Sequence, residues 1–247
     1  MNAAKPTIVL VHGAFAESAS WNGVISRLHN HGVTAVAVAN PLRSLTGDAA
    51  YVRDVIASVG GPVILVGHSY GGLVITEAAA DNEAVVGLVY AAGFVPETGQ
   101  SAFDLSASAP GSTLGDALAA YPVTGGGNEF AIRPDAFHHQ FAADVDEAET
   151  ALMAATQRPV TEAALREGLP TPRPAWKTIP SWHVFGGQDL NIPVAVHRAG
   201  AERAASRGIR EIAGASHAIS VSQPDAVAEV IAEAGKAYIA GLEASAA

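Results

Sequence analysis

Short β-branched runs alternate along the chain with longer stretches in which apolar residues recur at helical spacing. This alternation predicts an α/β fold in which a mostly parallel sheet is flanked by helices. The predicted strands are residues 7–11, 34–38, 62–66, 86–91, 181–185 and 208–212. Three apolar stripes predict core-facing helices, and they lie at residues 21–28, 51–59 and 227–242.

The segment 97–177 interrupts this rhythm because it is rich in Gly, Ser and Pro and contains no convincing strand. A gap of that length in a compact domain needs structure of its own, usually a functional insertion. Asp144 and Thr161 are placed to cap short helices within it. We therefore predict a mostly helical cap (lid) at 97–177, inserted within a single domain whose α/β core comprises 1–96 and 178–247.

Composition narrows the class of protein and its partners. A chain of 247 residues with 49% apolar and 15% charged residues is long and apolar enough for one well-buried domain. The formal net charge of -10 disfavours nucleic acid and anionic bilayers as partners. The N-terminal stretch has the features of neither a secretory signal nor a membrane span, so a cytoplasmic, unanchored protein is expected.

Cysteine is absent, so a nucleophile has to be another residue type. Gly67-His68-Ser69-Tyr70-Gly71 fits the G-x-S-x-G pattern of a nucleophile elbow, between a predicted strand and an apolar helix. Such a corner strains the serine backbone and exposes its hydroxyl at a helix N-terminus. Ser69 is therefore the candidate nucleophile.

A serine needs a base, and the base needs a third group that orients it. Asp189 follows the fifth predicted strand and His217 follows the sixth, in the order that this architecture uses. Glu97 is the rival acid, but it follows Pro96 at the start of the cap. We predict that Asp189 and His217 complete a catalytic triad with Ser69.

The other histidines have simpler interpretations. His197 is interpreted as an ordinary helix residue, and His68 is expected to point into the structure behind the nucleophile. His138 and His139 are adjacent, which is not the spacing of helical metal ligands. No metal and no cofactor is predicted.

Backbone N–H groups can stabilise the oxyanion of an acyl-transfer reaction. Tyr70 follows the nucleophile, so its N–H is one candidate donor. Gly13, after the first strand, lets the backbone approach closely enough for the N–H of Ala14 to be the second.

With these residues in place, the chain resembles the α/β-hydrolase superfamily over nearly its whole length. It resembles most the small cofactor-free esterases related to plant methyl esterases and hydroxynitrile lyases. The resemblance implies the same triad and the same two oxyanion donors. It rests on the segments VLVHGAF, VGHSYGG, YAAGFVPETG, FGGQDLNIP and GASHAISVSQP.

Two departures from the lyases bear on the reaction. Where those enzymes typically carry a threonine and a lysine, this chain has Gly13 and Ala218. The resemblance therefore implies a serine hydrolase that cleaves carboxylic esters of small uncharged molecules through an acyl-enzyme. Hydroxynitrile lyase or perhydrolase activity on the same triad stays an alternative, as does a non-catalytic small-molecule binding protein of this fold.

The substrate pocket is the least determined feature. Aromatic residues near the predicted site suit an uncharged acyl or aryl group, although each could equally belong to the core of the cap. A homodimer stays open. The candidate substrate-binding residues are Phe15, Tyr121, Phe137, His138, Phe141 and Trp176.

Overall fold

A six-stranded, wholly parallel sheet forms the centre of the computed structural model, which describes residues 5–245. All six predicted strands are present, with ends that differ by at most two residues. They are β1 (Thr7–Val11), β2 (Ala35–Val38), β3 (Val63–His68), β4 (Val85–Ala91), β8 (Ser181–Gly186) and β9 (Gly208–Ile212). Across the sheet they lie in the order β2-β1-β3-β4-β8-β9.

Helices cover both faces of the sheet because alternate side chains of each strand point to opposite sides. Val9 and Leu65 belong to the core on one face, whereas Ile8 and Ile64 belong to the core on the other. The helices of the parallel-sheet region are α1 (Asn22–Asn30), α2 (Leu45–Val59), α3 (Gly71–Ala78), α9 (Val194–Arg203), α10 (Ile219–Ser222) and α11 (Pro224–Ser245). The fold class is thus confirmed as α/β.

The segment 97–177 contains three strands as well as helices, so the expectation that it has no strand is wrong. The strands β5 (Leu118–Pro122), β6 (Asn128–Ile132) and β7 (Val160–Thr161) form an antiparallel sheet. The strand β5 is exposed along most of its length and lacks the alternation of a half-buried strand. The helices of this segment are α4 (Ala102–Ser106), α5 (Leu114–Ala117), α6 (Pro134–Phe141), α7 (Glu147–Thr156) and α8 (Glu162–Arg166).

Of the two residues predicted to cap helices in this segment, one caps a helix and the other does not. Thr161 caps α8, and its hydroxyl accepts a hydrogen bond from the N–H of Ala164 at 3.1 Å. The helix α7 is capped by Asp146 rather than by Asp144, because the carboxylate of Asp146 reaches the N–H groups of Ala148 and Glu149.

The topology gathers several loops at one edge of the sheet. Parallel strands end at the same edge, and β1 and β3 are direct neighbours there. The strands β8 and β9 are also neighbours, so the loops after them meet. Ligand sites in open α/β sheets lie at such carboxyl ends. Within residues 5–245, none of the helices is both long and apolar enough to cross a membrane.

Candidate active site

Ser69 occupies the corner between β3 and α3, in a left-handed backbone conformation. Its φ is 54°, which is unfavourable for a residue with a side chain. Three main-chain hydrogen bonds hold the corner: the N–H of Ser69 donates to Ala92 at 3.1 Å, and its carbonyl accepts from Gly72 at 2.9 Å and from Phe94 at 3.2 Å. The surrounding structure therefore maintains a strain that keeps the hydroxyl at the helix N-terminus.

The glycines around Ser69 allow close backbone approach. A Cβ at Gly67 would lie 2.5 Å from the carbonyl oxygen of Gly71, and a Cβ at Gly71 would lie 2.5 Å from that of Val11. Real side chains do not tolerate such contacts, so α3 packs against the ends of β1 and β3 only because both positions lack a side chain.

Asp189 and His217 are in direct contact on the loops after β8 and β9. The Nδ1–H of His217 donates to Oδ2 of Asp189 at 2.7 Å. Oδ1 of Asp189 accepts from the N–H groups of Asn191 and Ile192 at 2.8 and 2.9 Å. Burial opposes ionisation of Asp189, but interaction with His217 and the hydrogen bonds to this carboxylate outweigh it and hold its pKa well below the usual range.

Glu97, the rival acid, lies elsewhere. Its carboxylate is half-exposed and forms an ion pair with Lys177 at 2.7 Å.

A second histidine contacts Asp189, and sequence reasoning missed it. The Nε2–H of His197 donates to the same Oδ2 at 3.0 Å. His197 lies near the start of α9, the helix that follows the Asp189 loop. The sequence offers one signal of this contact, which is that His197 follows Asp189 closely along the chain. Ordinary helix residues share that feature.

Aromatic rings surround His217. The ring of His68 lies 4.7 Å from it, centroid to centroid, and the ring of Phe141 lies edge-on at 5.0 Å. The Nε2–H of His68 donates to the main-chain carbonyl of His217 at 3.0 Å, which fixes the backbone of that loop. Burial, with a smaller contribution from the charge of His217, lowers the pKa of His68 to about 3, so His68 is a neutral support at neutral pH.

The Nε2 atom of His217 is buried and makes no hydrogen bond to any protein atom within residues 5–245. The Oγ of Ser69 is likewise not hydrogen-bonded to it in this part of the chain. In enzymes without substrate, catalytic hydrogen bonds are often long or poorly aligned and tighten when substrate binds. The free Nε2 atom is the one that a base needs for accepting a proton.

The loop after β1 lies directly against Ser69. A Cβ at Gly13 would lie 2.5 Å from the Cβ of Ser69 and 2.7 Å from the carbonyl oxygen of His68, so only glycine permits this approach. The loop is held by His12, whose Nδ1–H donates to the carbonyl of Gly13 at 2.9 Å, and by Asn40, whose amide donates to the carbonyl of His12 at 2.9 Å. Across the described residues, the N–H groups of Ala14 and Tyr70 donate to no protein acceptor, which leaves both available to a ligand.

Ser69, Ala14 and Tyr70 line a cavity of about 310 Å³. Its walls carry no ionisable side chain other than Tyr70, whose hydroxyl is directed away and donates to Asp48 at 2.9 Å. Sequence reasoning named Phe15 among the lining residues but missed most of the others. The larger apolar lining residues are Phe15, Phe94, Phe103, Leu114, Leu118, Leu165 and Ile192.

The remaining five candidate pocket residues do not line this cavity. Tyr121 is 41% exposed on β5. The ring of Phe137 packs on that of Phe141 with centroids 5.0 Å apart, and Phe141 in turn contacts His217. His138 donates to the carbonyl of Val145 at 3.0 Å, and the indole N–H of Trp176 donates to Pro96 at 2.8 Å. These side chains build the segment around the site.

No group of three or more His, Asp or Glu side chains within the described range is arranged to bind a metal ion. The geometry of the site instead consists of a strained serine, a buried Asp–His pair and two free N–H groups beside an apolar cavity. Together with the parallel sheet, this arrangement defines the class of α/β hydrolases.

Comparison with known proteins agrees with this class. The sequence profile described as "Alpha/beta hydrolase family" matches residues 8–230, and the chain belongs to that family. The alpha/beta hydrolase nvfD of Aspergillus novofumigatus is 29% identical over 254 residues, covering 93% of this chain and 96% of the relative.

Solved structures show the same fold. Polyneuridine aldehyde esterase superposes with a TM-score of 0.79 at 20% identity, covering 93% of this chain and 99% of its own. A methylesterase from Arabidopsis superposes with a TM-score of 0.77 at 17% identity, covering 93% and 98%. The expected α/β-hydrolase family and fold are thus confirmed, and the family supports a hydrolase.

Proposed function

We propose that this protein is a serine hydrolase that cleaves carboxylic esters of small uncharged molecules through an acyl-enzyme. One observation carries the proposal: Ser69, held at a φ of 54°, lies in the wall of an apolar cavity together with Ala14 and Tyr70. A hydrogen-bonded Asp189–His217 pair with a free Nε2 atom supports the assignment of the base.

In the proposed reaction, Oγ of Ser69 attacks the ester carbonyl while its proton moves to Nε2 of His217. The resulting oxyanion accepts hydrogen bonds from the N–H groups of Ala14 and Tyr70. The carbon–oxygen bond to the alcohol then breaks, and the alcohol leaves with the proton from His217. Water, deprotonated by His217, attacks the acyl group, and release of the acid restores Ser69.

The cavity supports the choice of substrate class. Its volume of about 310 Å³ is at the lower end of the range for ligand sites. A charged group would lose its hydration there without gaining an ionic partner. We expect turnover of p-nitrophenyl esters to be fastest with butyrate or hexanoate and to fall for decanoate, whose longer chain leaves less of the cavity for the p-nitrophenyl group. Methyl esters and lactones extend the same panel.

The test compares Ser69→Ala with Ser106→Ala, because Ser106 lines the same cavity and has no proposed chemical role. Ser69→Ala should lower kcat/KM by roughly 10⁴-fold or more. It should also abolish labelling by a fluorophosphonate, whereas Ser106→Ala should keep both. An unlabelled wild-type Ser69, with ligand binding but no turnover, would instead indicate a binding protein. Turnover of mandelonitrile, or peroxide-dependent halogenation, in place of ester hydrolysis would indicate a lyase or a perhydrolase.

A further inference from the structure

Two imidazoles share one oxygen atom of Asp189. His217 and His197 both donate to Oδ2, at 2.7 and 3.0 Å, from different elements of the fold. We propose that His197 is a positioning residue that tunes the base: by competing for Oδ2, it weakens the hold of Asp189 on His217. This inference rests on the proposed function, in which His217 is the general base.

The hydrogen bond from His197 is not needed to hold the carboxylate of Asp189 in place. Oδ1 of Asp189 already accepts two main-chain N–H groups, from Asn191 and Ile192. These bonds fix the carboxylate without help from His197. The hydrogen bond from His197 therefore acts mainly on Oδ2, the oxygen that faces His217.

His197 is held firmly enough to make this contact persistent. Its side chain is 1% exposed, and its ring stacks on Phe185 with centroids 5.0 Å apart and planes 17° apart. Its position near the start of α9 and the stacked ring together direct Nε2 at Asp189. Buried donors that keep a single partner are costly to lose, so the contact is expected to survive in the working enzyme.

The consequence concerns the pH dependence of the base. A carboxylate oxygen that accepts a second hydrogen bond has less electron density to offer the Nδ1–H of His217. Removing the donor at 197 should strengthen the Asp189–His217 interaction and favour the imidazolium form. The low-pH limb of the kcat/KM profile, which reports protonation of the free enzyme's base, should then move to higher pH.

Other ionisable groups around the pair do not change charge in this range. Burial lowers the pKa of His68 to about 3, that of His12 to about 4 and that of His183 to about 3, so these three are neutral above about pH 5. Glu211 faces His197 from β9, and its pKa is lowered by the hydrogen bond from Arg198, so it stays ionised. A shift of the limb therefore reports on the two imidazoles at Asp189.

The experiment measures kcat/KM for a p-nitrophenyl ester against pH in wild type, His197→Leu and His197→Gln. Leucine removes the donor, whereas the glutamine amide can still donate to Oδ2. We expect the limb to move up by about half to one pH unit in His197→Leu and to stay at the wild-type position in His197→Gln. His197→Asn, whose amide is too short to reach Oδ2, replaces leucine if that variant does not fold.

His183→Gln is the matched control, because His183 is equally buried on β8 and does not contact Asp189. It should lower stability and leave the limb in place. A low-pH limb that is unchanged in both His197→Leu and His197→Asn would overturn the inference. A limb that shifts as far in His197→Gln as in His197→Leu would also overturn it. An inactive wild type would instead refute the proposed function, so the two failures are distinguishable.

Discussion

Three buried histidines should make this protein acid-sensitive. His12, His68 and His183 are 0–1% exposed, and burial lowers their pKa values to about 4, 3 and 3. In the unfolded chain each imidazole has a pKa of about 6.5. Below about pH 6.5 the unfolded chain binds protons that the folded chain excludes, so the free energy of unfolding falls as the pH falls. Above about pH 6.5 the free energy of unfolding keeps its full value.

The size of the effect follows from these shifts. Each histidine contributes a slope that approaches about 1.4 kcal/mol per pH unit only below about pH 6.5, and therefore about 2 kcal/mol in total between pH 7 and pH 5. The three together lose about 6 kcal/mol, which is comparable to the whole stability of many domains. The depressed pKa of Asp189 acts in a separate window, because its contribution is lost only below about pH 4. We therefore expect unfolding to begin near pH 5.

Urea unfolding followed by circular dichroism at half-unit steps from pH 7 to pH 5 measures this slope. His183→Gln should reduce it by about 1 kcal/mol per pH unit on average over this range, because one excluded proton is removed. Ser206→Ala is the control: it removes the 2.7 Å hydrogen bond to Nδ1 of His183 but keeps the imidazole, so stability should fall while the slope persists. An identical slope in wild type and His183→Gln would refute the reasoning.

Three further predictions concern the site. Gly71→Ala places a Cβ 2.5 Å from the carbonyl oxygen of Val11. Thermal unfolding should therefore occur at a clearly lower temperature, and fluorophosphonate labelling of Ser69 should be lost. Normal labelling would show that the corner between β3 and α3 can relax. Tyr70→Phe leaves buried Asp48 without its hydroxyl partner and should lower the free energy of unfolding in urea by about 1–3 kcal/mol. Its kcat should stay within a few-fold of wild type, because only the main-chain N–H of Tyr70 is proposed to bind the oxyanion. Asn40→Ala frees the loop that carries Ala14 and should lower kcat by roughly tenfold with little change in KM, whereas an effect on KM alone would place the loop in substrate binding instead.

Much of the core could be predicted because its signals are local. The strand β3, the glycines around Ser69 and the helix α3 are consecutive in the chain, and strand and helix periodicity depends on neighbouring residues. Parallel strands then bring the loops after β1, β3, β8 and β9 to one edge, so the sequence order of Ser69, Asp189 and His217 sufficed to nominate all three.

The segment 97–177 was harder to predict, for the opposite reason. Its strand β5 is mostly exposed and pairs with β6 across a glycine-rich turn, so its identity depends on hydrogen bonds rather than on an apolar pattern. Five aromatic or histidine residues assigned to a pocket instead pack within or around this segment. Aromatic character alone does not distinguish the wall of a cavity from the core beside it.

The α/β architecture and a nucleophile candidate at a glycine corner are both predictable from the amino-acid sequence, because they arise from short-range periodicity and backbone sterics. Three features of the site are visible only once the elements are packed together: which apolar side chains face the cavity, which N–H groups lack a partner among the described residues, and that His197 shares an oxygen of Asp189 with His217. Those features depend on distances between elements that packing sets. A pattern along the chain does not contain them.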